Sequence, residues 1–217
     1  MGNSKQSFMK INIYNLKSEV VGEMSLPKLF ETVVSEKLIN QAIKVYTNNQ
    51  RKSHAKAKDR GDIAGTTKKM WAQKGTGRAR HSTAKASQFV GGGITHGPQG
   101  NQNYKLKLPK TQRTLAIHAI LAKFAKQKRI IVIDQFKDMS SKTKDAIKLI
   151  TCLEKENEVL SKSHKIGIIT NKTVINVKRA FRNIPGVKLL CAKSLNVYDL
   201  ANQNYLFFSK KAINDLK

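Results

Sequence analysis

Between Asp62 and Asp134 the chain carries no acidic residue, while Lys and Arg recur throughout. The surrounding stretch, from about Arg51 to Arg113, has no long apolar run and gathers glycines at Gly61, Gly65, Gly75, Gly77 and Gly91 to Gly93. A segment of like charge without apolar periodicity cannot bury enough surface to offset the entropy of ordering. It is therefore expected to order only against a large polyanion. Insertions of this length without regular structure are uncommon in compact domains and mark either function or disorder.

The whole chain shares the bias. Its 217 residues carry 41 Lys and Arg against 14 Asp and Glu, a formal net charge of +27. That balance fits a protein that sits on nucleic-acid phosphates. An anionic membrane would also attract it, but the Gly-rich arm lacks the basic amphipathic helix such binding uses, and no stretch approaches bilayer-spanning length. The first residues, MGNSKQSFMK, have no apolar signal core, and Gln6 stands where a myristoylation motif needs Ser or Thr. Cys152 and Cys191 form no C-x-x-C pair and are expected to be small, buried, reduced thiols, with no metal site and no disulfide.

On either side of the arm the pattern is α/β. Lys10 to Leu16 alternates as a strand, with Val20 to Met24 as its hairpin partner. Phe30, Val34, Leu38, Ala42 and Val45 recur at helical spacing, predicting a helix from Leu29 to Asn48, closed by Asn48 and Asn49. After the arm, Pro109 starts a helix with Ile117, Ile120, Leu121 and Phe124 on one stripe. The run IIVI between Arg129 and Asp134 suits a strand buried on both faces. A helix over 142–153, a strand over 165–170, a helix over 173–184 and strands over 187–192 and 205–209 continue the alternation. Short helices are expected over 194–200 and 210–216. Parallel strands need crossover connections, so this order predicts a mostly parallel central sheet with helices on both faces, in Rossmann-like layers. One globular α/β domain is expected from residues 1–50 and 110–217. Residues 51–109 form a long basic loop inserted after its first long helix.

Enzyme chemistry finds little support. Gly75 and Gly77 lie in KGTGRAR with Arg80 at the third glycine position of a dinucleotide motif, and no Walker sequence is present. His54, His81, His96, His118 and His164 are scattered, none at catalytic or metal spacing from a carboxylate. His118 reads as a packed or half-exposed helix residue. The arm has no carboxylate beyond Asp62 to hold magnesium. No cofactor, metal or catalytic residue is expected.

Binding chemistry explains the arm's residues more simply. Lys68, Lys69, Lys74, Arg78 and Arg80 supply cations for phosphates, and Trp71 and Phe89 offer flat faces for unpaired bases. His81, His96 and Gln73 add polar contacts. Along the flanks, Arg51, Lys52, Lys56, Lys58, Arg60 and Lys85 continue the cationic track, as do Lys105, Lys107, Lys110 and Arg113 toward the second helix. The glycines let the backbone turn sharply and approach a sugar-phosphate chain.

TTKKMWAQKGTGRAR, then GGGITHGP, then KLPK before a helix, together resemble the ribosomal protein L4 family of the large subunit (uL4), in its bacterial or organellar type. The resemblance spans essentially the whole layout. It implies a globular domain on the outer face of the subunit and a loop threading between helices of the large ribosomal RNA. The loop tip would help line the nascent-peptide exit tunnel opposite ribosomal protein L22. It would place Trp71, Ala72, Gln73, Lys74 and Gly75 at or near that tip, where changes in family members affect macrolide binding. Lys68, Lys69, Arg78 and Arg80 would hold the adjoining strands of the loop to RNA. Met70 stands where the family usually has Pro, which is expected to loosen the turn into Trp71, and His96 stands where an aromatic often precedes Gly97-Pro98.

The function so implied is that of a structural constituent of the large subunit, with no catalytic activity. Its partners would be large-subunit rRNA, neighbouring ribosomal proteins including L22, and the nascent peptide, with no membrane and no homo-oligomer. The place is the ribosome, in bacterial cytoplasm or mitochondrial matrix, since Lys-, Ile- and Asn-rich usage fits an AT-rich genome of either kind. Two other readings remain beside it: an RNA-modifying enzyme with a cofactor-binding α/β domain, and an RNA-binding repressor of its own operon mRNA.

Overall fold

A computed structural model describes residues 9–32, 34–134, 136, 139–156, 165–171 and 174–216. The N-terminal octet, His164 and the expected helix start at Thr173 lie outside the described residues. The chain divides into two compact units, Met1–Tyr46 with Lys107–Lys217, and Thr47–Leu106.

The first unit is built on one six-stranded sheet in the order β2-β1-β3-β6-β4-β5. Its strands are β1 (Lys10–Tyr14), β2 (Val20–Ser25), β3 (Ile130–Ile133), β4 (Ile166–Thr170), β5 (Val187–Cys191) and β6 (Tyr205–Ser209). The β1–β2 hairpin is antiparallel and every other pairing is parallel. The helices are α1 (Glu36–Gln50), α2 (Lys110–Lys126), α3 (Thr143–Glu156), α4 (Ile175–Phe181), α5 (Val197–Ala201) and α6 (Lys210–Asp215).

Continuous apolar runs in the central strands become two cores because side chains alternate across a strand. Ile130 and Val132 of β3, with Leu206 and Phe208 of β6, face Ala42 of α1, Leu121 and Phe124 of α2, and Ile213 of α6. Ile131, Ile133 and Phe207 face the other way, against Leu149 and Leu153 of α3 and Phe181 of α4. Each of the Val, Leu, Ile and Phe side chains, where fully buried, contributes about 1.5–3 kcal/mol. On α2 the deepest positions include Ala116, Ala119, Ala122 and Ala125, while Ile117 is half-buried. Small residues let this helix approach the sheet closely, a role the apolar-stripe reading did not assign to them. His118 is half-buried on the same helix, as expected.

Two expectations fail. The first long helix begins at Glu36, not Leu29: residues Lys28–Glu31 form a single 3-10 turn after Pro27, and the chain leaves it extended at Thr32. Phe30 is nonetheless fully buried, edge-on to Phe208 with ring centroids 6.1 Å apart. The helix also runs through Asn48 and Asn49 to Gln50. The second failure concerns the thiols. Cys152 is exposed on α3 and Cys191 half-buried at the end of β5, where its Sγ–H donates to the Asn171 carbonyl at 3.4 Å. Neither is a core residue; α3 turns Leu149, Ile150 and Leu153 inward and leaves Cys152 on its solvent side.

Candidate nucleic-acid interface

Residues 47–106 contain no helix after Gln50 and no named strand. The pairing within this loop is one isolated antiparallel bridge, Lys56 with Gln99. Turns and bends make up the rest, because Gly, Ser, Thr and Lys offer no alternating apolar face to pair. Gly93 is the only residue of this unit that is buried.

The segment is nonetheless closed on itself. At its base, Asn49 donates from Nδ2 to the Leu106 carbonyl at 3.1 Å and accepts from the Leu106 N–H at 2.8 Å. Beside it the Arg51 guanidinium lies 4.0 Å from the centre of the Tyr104 ring. Further out the Ala57 N–H donates to Pro98, Ile94 to Lys58, and Gly93 to Lys85. A Cβ at Gly93 would lie 2.2 Å from the Arg60 backbone nitrogen, so only glycine lets the two stretches meet here. The close approach at Gly93 is thus to the protein's own backbone. Asp59 and Asp62, the acids of this unit, shape the adjoining turn, in which Asp59 accepts from the Arg60 and Asp62 N–H groups.

The tip spans residues 71–79. Met70 N–H donates to Ser82 at 3.0 Å and the Trp71 indole Nε1–H donates to the Ala79 carbonyl at 2.9 Å, closing the neck from both sides. A proline at 70 has no N–H to donate, so Met70 adds a closing bond instead of loosening the turn. Gly75 has φ +85°, a left-handed conformation that reverses the chain. Ala72, Gln73, Lys74, Gly75 and Arg78 are exposed, with Lys69 Nζ donating to Gln73 Oε1 at 2.6 Å.

Among the candidate contacts the structure gathers Trp71, His81 and Phe89. The His81 ring meets Trp71 edge-on at 5.8 Å and Phe89 edge-on at 5.0 Å, and Gln88 bonds its Nδ1. All three rings are half-buried, and Arg78 lies 5.7 Å from the centre of the Trp71 ring. Trp71 and Phe89 are therefore partly engaged in bracing the tip, and His81 is the hub of the brace. Lys85 is half-buried against the Gly65 turn. Arg51, Lys52, Lys56, Lys58, Arg60, Lys68, Lys69, Lys74, Arg78, Arg80 and Lys105 are exposed, spread along the segment and not converged on a pocket. His96 is exposed with φ +56°. Lys107, Lys110 and Arg113 belong to the other unit, on and just before the exposed first turns of α2. Sequence reasoning missed Asn49, Tyr104 and Thr83, whose hydroxyl donates to the Thr66 carbonyl at 3.1 Å. No local pattern marks them, because their partners are remote in sequence.

Among the described residues, none of the cations in 47–106 forms an ion pair, and no group of three His, Cys, Asp or Glu side chains gathers as a metal site. The arrangement suits distributed attraction to a polyanion.

A profile described as the ribosomal protein L4/L1 family matches residues 24–217. Curated relatives are similar over nearly the whole length. A protein of Natranaerobius thermophilus named large ribosomal subunit protein uL4 is 36% identical over 206 residues, covering 94% of this chain and 96% of its own. One of Thermoanaerobacter sp. strain X514 with the same name is 36% identical, covering 94% and 95%. Another from Clostridium botulinum strain Okra is 31% identical, covering 96% and 97%.

Proposed function

The chain belongs to the ribosomal protein L4/L1 family, and with that as the premise we propose how its two units divide the work. The protein is a structural constituent of the large ribosomal subunit and associates with its RNA and proteins. The α/β unit anchors it. Residues 47–106 run along large-subunit rRNA, and the tip at 71–79 helps line the nascent-peptide exit tunnel, facing ribosomal protein L22. The relatives named above are bacterial, which favours a bacterial ribosome.

One observation carries this reading: residues 47–106 hold exposed, unpaired cations around a single buried glycine. Like charges with no core between them repel one another, so the segment gains its main stabilisation when phosphates neutralise it. Two effects combine. Phosphate contacts release counterions, and the segment orders further as RNA packs around it.

The test is a salt titration of the full chain on large-subunit rRNA. Affinity should fall by about 0.7–0.9 log unit per log unit of salt for each phosphate contacted, giving a steep slope. A nearly flat slope, or equal affinity for an unrelated RNA at every salt, counts against it.

A further inference from the structure

Gln203 breaks two local rules of the α/β unit at once. It follows α5, is only 7% exposed, and donates from Nε2 to the Asp199 carbonyl at 3.2 Å. A carbonyl only accepts, so this bond fixes the amide with Oε1 on its other side. That oxygen is buried without a hydrogen-bond partner among the described residues, a loss of stability that an apolar side chain would not incur. The second exception faces it on β4. This strand is buried at every position, yet it contains Gly167, where a Cβ would lie 2.9 Å from the Gln203 Cγ. A glycine inside a strand weakens it and marks a close approach. The fold thus carries a weakened strand and an unpartnered acceptor to hold one glutamine.

Gln203 lines an open cleft of about 440 Å³ between α1, α2 and the end of α5, a size within the range of small-ligand sites. Ile39, Ile43, Ile120 and Phe124 give it an apolar wall. Arg129, half-buried just before β3, lines it as well and pairs with no described carboxylate. Glu36 and Lys123 also line it, but they already bind each other at 2.8 Å. What is left to satisfy is one acceptor, one guanidinium and the apolar wall. An occupant must therefore donate a hydrogen bond, bring an anion that a guanidinium can grip, and carry an apolar group. The last residue of a polypeptide has all three together in its backbone N–H, its terminal carboxylate and its side chain. A nucleic-acid backbone supplies the anion but no apolar side chain for the wall.

We propose that this cleft is a binding site for a polypeptide C-terminus that ends in an apolar residue, its N–H donating to Gln203 Oε1 and its carboxylate lying on the Arg129 guanidinium. The site goes beyond the rRNA-binding role: its occupant is a protein, held by the α/β unit and not by residues 47–106. The salt titration on rRNA does not depend on it, so either reading can fail alone.

N-acetyl-leucine is a minimal probe with all three groups. Titrated at millimolar concentration into isotope-labelled full-length protein, it should move the backbone amide signals of Ile39, Ala201 and Gln203 in NMR spectra. N-acetyl-leucinamide lacks the carboxylate and should bind about tenfold more weakly, the loss of one charge-assisted bond. Arg129→Gln should abolish that preference for acid over amide. N-methyl-N-acetyl-leucine has no N–H and should bind more weakly than N-acetyl-leucine to wild type, but equally to Gln203→Met, which keeps the side chain's length and removes the acceptor. Melting curves check that each variant is folded, and Arg129→Gln, at a half-buried position, decides the matter if Gln203→Met is not. Unmoved cleft signals overturn the proposal. So does equal binding of acid and amide to wild type, or a preference for the acid that survives in folded Arg129→Gln. Cleft signals that move with an rRNA duplex and not with N-acetyl-leucine would assign the cleft to nucleic acid and overturn it too.

Discussion

At the scale of single residues, Gly93 decides whether the arm closes. Its virtual Cβ meets Arg60 backbone atoms at 2.2 and 2.6 Å, and backbone cannot swing aside as a flexible side-chain end does. Gly93→Ala should therefore open the Lys85, Lys58 and Arg60 region. Gly61→Ala, with nothing within 4 Å of its Cβ and no positive φ, should be tolerated. Limited trypsin digestion reads the difference: cleavage at Lys58, Arg60 and Lys85 should accelerate several-fold in the first variant and stay at the wild-type rate in the second. Equal digestion of both would mean that the base of the arm is not held by this approach. The cationic candidates were legible because charge is a local property of sequence, readable without knowing what lies near it. Gly93's partner, the double bond of Asn49 with Leu106, and the bracing role of His81 were not, since each joins residues far apart in the chain.

At the scale of elements, the strands were legible and one helix boundary was not. IIVI, IGIIT and YLFF are apolar at every position or nearly so, and a strand buried on both faces leaves that signature. Phe30 and Val34 misled because they continue the helical phase of Leu38 and Ala42, although Lys28–Glu31 is a 3-10 turn that the chain leaves extended at Thr32. What fixes Phe30 is its contact with Phe208 on the sheet, which periodicity cannot see. The true start of α1 carries Glu36, tied to Lys123 of α2 at 2.8 Å. That hydrogen bond and the lysine charge hold the Glu36 carboxyl below its ordinary value of 4.5. A lowered folded-state value means the pair's stabilisation is present above the ordinary glutamate range and is lost as pH falls through the lower folded value. Both side chains are more than half exposed, so the effect is small and screened by salt. Lys123→Gln should lower the melting temperature slightly at pH 7 and low salt. The gap to wild type should close toward pH 3 and in about 1 M salt, where the screening length is only about 3 Å. A gap independent of pH would assign the loss to the lysine's packing on α2, not to its charge.

At the scale of the whole molecule, the two units draw their stability from different sources. The α/β unit has two apolar cores, one on each face of the sheet, whereas residues 47–106 have cross-chain hydrogen bonds, a ring brace and exposed cations. A charge change at the tip should then alter function without touching the fold. Lys74 is the position to use: it is exposed, and the bonds that close the tip run through Met70, Trp71 and the Lys69–Gln73 pair, leaving it out. Lys74→Glu would set a negative charge among RNA phosphates if the tip lies at the tunnel wall. Ribosomes carrying it should show altered macrolide sensitivity or altered passage of nascent peptides, while the isolated protein keeps the wild-type melting temperature. Wild-type behaviour in both ribosomal assays, in subunits shown to contain the variant, would put the tip away from the wall. A lowered melting temperature would instead mean that the units are energetically coupled and not stabilised separately.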